Sequence, residues 1–295
     1  MNSSSPLIPE NRALGIILML TTMLCFVSLD AIMKYALQSY SLVQVTWARF
    51  FFATLFAMLF CSKQLPRLAI SQMPGLQLSR SALLMITTFL FNAGLIFVPL
   101  VTATTIMFLS PILITVLSIF LLGEHVGIRR WIGIVMGFVG AVIVVQPWHV
   151  GTSTFNVGAL FFLAAALTNA NYQIITRKVR GDDPMTSLLY TAAGGAFLTS
   201  FLLPLHWQWP DALGWTLLVA SGLAGAVGHF CLIQALRYAP ASVVAPFAYS
   251  SLLWATLLGF LVWREFPSIN VWIGAALIVA AGLYIFVRER VKKLT

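Results

Sequence analysis

Residues 121–145 read LLGEHVGIRRWIGIVMGFVGAVIVV, and residues 263–287 read WREFPSINVWIGAALIVAAGLYIFV. With gaps of a residue or two, Glu124 falls on Glu265, and Trp131, Ile132 and Gly133 fall on Trp272, Ile273 and Gly274, all at an offset of 141 residues. A second match, at an offset of 143, lays GIILMLTTMLCFVSLDAIMK from Gly15 on GALFFLAAALTNANYQIITR from Gly158, so that Lys34 meets Arg177 and Trp47 meets Tyr190. Self-similarity at a fixed period is the mark of a duplicated structural unit. The chain is therefore expected to hold two tandem copies, residues 1–150 and 151–295.

The setting of the two copies follows from composition. Sixty per cent of the residues are hydrophobic and only 8% are charged, about a third of the charge a soluble domain carries. This predicts an all-α integral membrane protein with no room for a soluble domain. A helix needs roughly 20 apolar residues to cross the hydrocarbon, and ten such runs can be marked: 13–36, 41–61, 80–99, 101–122, 129–147, 156–177, 186–205, 213–236, 240–262 and 268–288. The first run lacks a basic flank and a small-residue cleavage site, so it is read as a retained span rather than a signal peptide.

Ten runs make five per copy, and five is odd, so the second copy enters the membrane from the opposite side. Two such units are related by an axis in the membrane plane, an inverted repeat of the kind found in secondary transporters. With the N-terminus inside, fourteen of the seventeen Lys and Arg residues fall on the inner side, Arg80 among them; Lys34 and Arg264 lie outside and Arg49 inside a span. Basic residues collect in cytoplasmic loops, so a multi-pass protein of the cell (inner) membrane is predicted, with both termini cytoplasmic. The net charge of +9 then reads as topology and attraction to anionic lipid, not as nucleic-acid binding.

The doubled five-helix unit, the arginine of WARFFFATL (Arg49), the Ser110-Pro111 step before Glu124 in SPILITVLSIFLLGE, and ALRYAPASVVAPFAYSSLLWATLLGFLVWRE in the second half together resemble the drug/metabolite transporter superfamily, in its ten-helix EamA-type branch. The resemblance covers essentially the whole chain. It implies a central cavity walled by spans 1–4 and 6–9, with spans 5 and 10 peripheral, and the movement of small organic solutes, often amino-acid export. Leu252 stands at the counterpart of Pro111 and Ala192 at that of Arg49, so the halves depart from strict symmetry.

Charge inside the bilayer marks the first candidates. Asp30 and Arg49 lie at matching depth on adjacent antiparallel spans, where a lone charge costs about 2.5–3.5 kcal/mol on insertion scales. Arg49 is read as a partner of Asp30, as an anchor for a substrate carboxylate, or as a snorkelling cation. Lys34, one turn above Asp30, is placed to share that carboxylate or to reach outward. Asn92, Thr105, Ser110, Asn169, Asn171, Gln173, Tyr249, Ser250, Ser251 and Trp254 are the polar and aromatic groups that can line a cavity, each weighed against simple backbone bonding. Trp47 and Tyr190, related by the repeat, are gates or interfacial anchors.

Other classes find little support. The three cysteines and four histidines show no ligand spacing, so neither a metal nor a cofactor is expected. An intramembrane enzyme lacks a paired nucleophile and base, a channel lacks a ring of filter groups, and no Walker motif is present. Gly222, Gly225 and Gly228 are read as helix packing, and Gly133 and Gly137 as a packing or homodimerisation motif. The expected activity is alternating-access export of neutral, apolar or aromatic amino acids, with nucleoside-like metabolites or drugs as the alternative cargo and a non-transporting scaffold as the rival class.

Overall fold

The computed structural model describes residues 11–60, 62, 65–122, 128–146, 155–179 and 181–292. All the regular structure in these residues is helical: α1 (Arg12–Ala36), α2 (Leu42–Phe60), α3 (Leu65–Leu68), α4 (Pro74–Leu95), α5 (Leu100–Met107), α6 (Ser110–Leu122), α7 (Ile128–Val145), α8 (Phe155–Lys178), α9 (Pro184–Ser200), α10 (Ala212–Tyr238), α11 (Ala241–Val244), α12 (Ser251–Trp263) and α13 (Ile269–Lys292), with 3-10 turns at Leu203–Leu205 and Ala245–Ser250. Among the described residues seven segments are long and apolar enough to cross a bilayer, and Trp131–Val145 and Ile269–Tyr284 are shorter apolar stretches. The seventh predicted run appears as the 17-residue α9. Glu124 and the side chain of Arg177 lie outside the described residues.

Helix ends are set by local chemistry. Asn11, Asp183 and Asp211 cap α1, α9 and α10 by accepting from the backbone N–H of Leu14, Met185 and Gly214, the role for which short polar side chains are favoured. Two spans are interrupted next to Pro111 and Pro246, prolines whose missing N–H is expected from sequence to kink them. The fourth run breaks at Phe108 and Leu109, ahead of Pro111, which sits in the first turn of α6 where its missing N–H costs nothing. The ninth run breaks over the 3-10 segment Ala245–Ser250, which contains Pro246.

The pairings of the helices fall into matched sets when α1, α2, α4, α5–α6 and α7 are exchanged with α8, α9, α10, α11–α12 and α13. Helix α1 packs on α10 as α4 packs on α8; α2 packs on α10 as α4 packs on α9; α1 packs on α12 as α8 packs on α5 and α6. Helices α2 and α9, and α7 and α13, pack on each other. At the α7–α13 contact a Cβ on Gly140 would lie 2.9 Å from the Gly274 carbonyl oxygen, and one on Gly274 would lie 2.6 Å from the Gly140 carbonyl oxygen. In lipid, close backbone approach replaces the hydrophobic drive. Gly137 faces Ile112 and Ala281 of its own chain, so this half of the G-x-x-x-G motif serves internal packing.

Segments between helices are tied by side chains. Tyr40 donates to Asp211 at 2.9 Å, Ser41 to the His206 carbonyl at 2.8 Å, and Gln44 both donates to and accepts from the Gln208 backbone. At the other set of ends, Tyr190 donates to the Ala69 carbonyl, and Asp182 accepts from Ser71, the Gln72 N–H and Gln77. The Ser71 hydroxyl, with Gln77 and the Gln72 N–H, holds the Asp182 carboxyl below its ordinary range, against a smaller opposing effect of burial.

Candidate functional site

Three groups of polar or aromatic side chains occupy the interior. The first sits between α1, α2, α4 and α10. Arg49 donates from Nη1 to Thr88 Oγ1 at 3.0 Å and lies 5.5 Å from the Phe50 ring centre. One turn along each helix, Asn92 Nδ2 donates to Thr46 Oγ1 at 2.9 Å, so α2 and α4 are joined by two rungs. Asn92 is wholly buried, and its Oδ1 accepts nothing. Asp30 is half-buried on α1 and within electrostatic reach of Arg49, yet no ion pair or hydrogen bond closes between them. Of the three readings of Arg49, direct contact with Asp30 is the one the structure does not show: a threonine hydroxyl on α4 takes the guanidinium.

Of the two readings of Lys34, sharing the Asp30 carboxylate is the one the structure does not show. Its ammonium contacts both oxygens of Glu265 at 2.9 Å and lies 4.7 Å from the Trp263 ring centre, leaving Asp30 without it. The chain reaches this position through Arg264, which caps α12 in the left-handed conformation at φ 58°. That turn lets the Glu265 N–H bond back to the Gly259 carbonyl.

The second group was missed by charge reasoning. Arg80 is expected in an inner loop, but it is 6% exposed inside α4. It donates to Thr176 Oγ1, the Ser187 carbonyl, Thr191 Oγ1, Tyr172 OH and Gln77 Oε1, with its guanidinium 4.8 Å from the Tyr172 ring centre. Five neutral acceptors on α4, α8 and α9 thus satisfy a cation that no carboxylate among the described residues contacts. Gln77 links this cluster to Asp182. The available signal was the polar spacing of Gln77, Arg80 and Ser81 against Thr176, Thr191 and Tyr172, which makes sense only once the three helices are known to meet.

The third group gathers at the two helix breaks. Phe108, in the α5–α6 break, meets Tyr249, in the 3-10 segment, edge to face with ring centres 5.0 Å apart. These two residues stand at the same 141-residue offset as Trp131 and Trp272. Beside them, Ser250 Oγ and Trp254 Nε1 are buried without a partner. Thr105, Ser110 and Ser251 instead donate to backbone carbonyls, of Val101, Ala166 and Ala248.

The remaining candidates are less engaged with the interior. Asn169 is half-buried, Asn171 donates to the Leu167 carbonyl, and Gln173 is exposed. Trp47 donates to Ser200 at 3.0 Å, stacks on Phe51 and meets Trp207 edge to face, in an aromatic cluster that continues to Trp209 and Trp215. Tyr190 is held at the Ala69 carbonyl. These bonds favour anchoring for both residues, as aromatic side chains do at membrane interfaces. Helix α10 fits between α1 and α2 because Gly222 lies against Phe52 and Ala53 and Gly228 against Cys25 and Phe26. This brings His229 onto the Phe26 ring at 4.8 Å. Among the described residues no three His, Cys, Asp or Glu side chains group as metal ligands.

Comparison with known proteins gives concordant results. The EamA-like transporter family matches residues 13–146 and again residues 156–287. The S-adenosylmethionine uptake transporter of Rickettsia felis is 29% identical over 262 residues, which cover 88% of each chain. The riboflavin transporter of Vibrio cholerae serotype O1 is 31% identical over 282 residues, 92% of each chain. A solved crystal structure at 21% identity superimposes with a TM-score of 0.64, over 93% of this chain and 96% of the other, a likeness of fold alone.

Proposed function

This chain belongs to the EamA-like transporter family, and from that premise we propose that it carries a small metabolite bearing a planar heterocycle across the cytoplasmic membrane by alternating access. It is a multi-pass membrane protein of a small-molecule transport family, not an enzyme. The observation that carries the substrate reading is the aromatic set at the helix breaks. The faces of Tyr249, Phe108 and Trp254 suit a flat ring, and the unpartnered Ser250 hydroxyl and Trp254 N–H suit its polar edge. Interrupted helices in corresponding positions of two halves are a pointer to a transporter's binding site. Relatives named for S-adenosylmethionine and riboflavin point to the same chemistry, since both molecules carry a fused nitrogen heterocycle. Free amino acids, the cargo expected from sequence, lack such a ring in most cases.

The matched helix pairings, the repeat-related Phe108 and Tyr249, and the two family matches support an inverted pair of five-helix units. The tie of Tyr40 to Asp211 and that of Gln72 to Asp182 each join segments that ten alternating crossings put on one face. With basic residues inside, both termini are cytoplasmic.

Counterflow in proteoliposomes tests the cargo. S-adenosylmethionine, adenosine, riboflavin and phenylalanine are offered as exchange partners, and saturable exchange is expected for at least one heterocycle and far less for phenylalanine. Exchange confined to phenylalanine, or none with any heterocycle, would refute the reading.

A further inference from the structure

The interior holds two ions that do not neutralise each other in direct contact. Arg49 uses one of its five N–H groups on Thr88, and the other four meet no acceptor among the described residues. Asp30 accepts no hydrogen bond and touches no cation among the same residues, although it lies within electrostatic reach of Arg49. Other cations are engaged: Lys34 is held by Glu265, and Arg80 by its five neutral acceptors. Ions set within an apolar span are ordinarily paired or fully hydrogen-bonded even when half-buried, as Asp30 and Arg49 are, so this site has an incomplete shell of both signs.

We infer that Asp30 and Arg49 form a clamp for a zwitterionic α-amino-acid terminus on the substrate, the ammonium on Asp30 and the carboxylate on the free edge of Arg49. A plain carboxylate would satisfy Arg49 and be repelled by Asp30. A plain amine would satisfy Asp30 and be repelled by Arg49, and a neutral group would leave both open. A group that carries both charges a few bonds apart completes the two shells, and the planar fork of Arg49 fits a carboxylate. Helix α1, which carries Asp30, packs against α10, against α12 and against the 3-10 segment that holds Tyr249, so one helix touches the segment of the aromatic set and itself bears the clamp's carboxylate. The inference rests on the heterocycle reading of that set and adds the charged end of the molecule.

The test measures binding to the purified full-length protein in nanodiscs with three probes: S-adenosylhomocysteine, adenosine (the same heterocycle without the amino-acid arm), and methionine (an arm without the heterocycle). S-adenosylhomocysteine is expected to bind at least about tenfold tighter than adenosine. Asp30→Asn and Arg49→Gln should each erase that ratio while leaving the adenosine affinity within about twofold, which also shows that the variants are folded. Arg49→Lys, which keeps the charge and loses the fork, should retain part of it. A ratio near one in the native protein, or one unmoved by Asp30→Asn, overturns the clamp and leaves the heterocycle reading intact. Methionine binding that depends on both residues, with neither adenosine compound bound, overturns the heterocycle reading and upholds the clamp. Failure of S-adenosylhomocysteine and methionine alike to bind overturns the clamp.

Discussion

Replacing Glu265 by Gln should loosen the end of the molecule that Lys34 and Glu265 fasten. The ammonium sits 2.9 Å from both carboxylate oxygens, with side-chain exposures of 10% for Lys34 and 31% for Glu265. At that separation the Coulomb attraction is roughly 6 kcal/mol for an effective dielectric constant of about 20. Desolvation of the lysine offsets part of this, and water screens the more open glutamate. A wholly buried pair costs about 3–5 kcal/mol to break and an exposed one up to about 1 kcal/mol. This intermediate pair should therefore cost about 2 kcal/mol, the Trp263 face retaining some attraction for the stranded ammonium. Because the pair ties α1 to the α12–α13 turn, the loss favours states in which the two separate by about thirtyfold.

The readout is a cysteine introduced at Ala31, which is 8% exposed and one turn below Lys34, in a chain whose native cysteines are replaced. Its reaction with a membrane-impermeant maleimide should accelerate about thirtyfold with Glu265→Gln, and return towards the native rate when Lys34→Glu and Glu265→Lys are combined. A rate within twofold of native in Glu265→Gln, or no recovery in the exchanged pair, would show that the ion pair does not hold this end closed.

Gly222→Val should destabilise the protein by at least about 3 kcal/mol, because even a Cβ would stand 2.7 Å from the Ala53 backbone nitrogen and overpacking at backbone is not relieved by rotamer change; thermal unfolding in detergent measures it, and an unchanged midpoint would refute the α10–α2 packing. Asp182 is expected to stabilise the tie between the α3–α4 and α8–α9 segments only while ionised. Its folded pKa lies below the unfolded value of about 3.9, so the contribution is fully present above that value and is lost as pH falls through the lower folded one. The thermal midpoint of the native protein should accordingly drop more steeply below about pH 4 than that of Asp182→Asn, and parallel profiles would exclude the assignment.

The course of α4 shows where one-dimensional reading stops. Gln77, Ser79, Arg80 and Ser81 depress the local hydropathy, so the third run was expected to begin at residue 80 and Arg80 to belong to a loop. The helix begins at Pro74, because Gln77, Arg80 and Ser81 face Thr176, Ser187, Thr191, Tyr172 and the Tyr190 carbonyl rather than water, while Ser79 bonds the Gly75 carbonyl of its own helix. Hydropathy counts a polar residue as a cost wherever it stands. It cannot register that a neighbouring helix supplies the acceptor. The interruption of the fourth run was legible from Pro111, which is expected to kink a helix, but its place at Phe108 and Leu109 came only from the structure.

Sequence by itself determined that the chain lives in a bilayer, that two of its stretches resemble each other near an offset of 141 residues, and which polar and aromatic groups lie within apolar runs. Those properties are sums over neighbours along the chain, and the cost of exposing backbone in lipid converts them directly into helices. Tertiary structure alone decided the partners: Lys34 with Glu265, 231 residues away, Arg49 with Thr88, and Asp30 with none among the described residues. Electrostatic and hydrogen-bond energies act over a few ångströms in space. A carboxylate one helical turn away in sequence loses its cation whenever packing brings a better-placed acceptor from a distant helix, and only the packed arrangement shows which ions are left for a ligand.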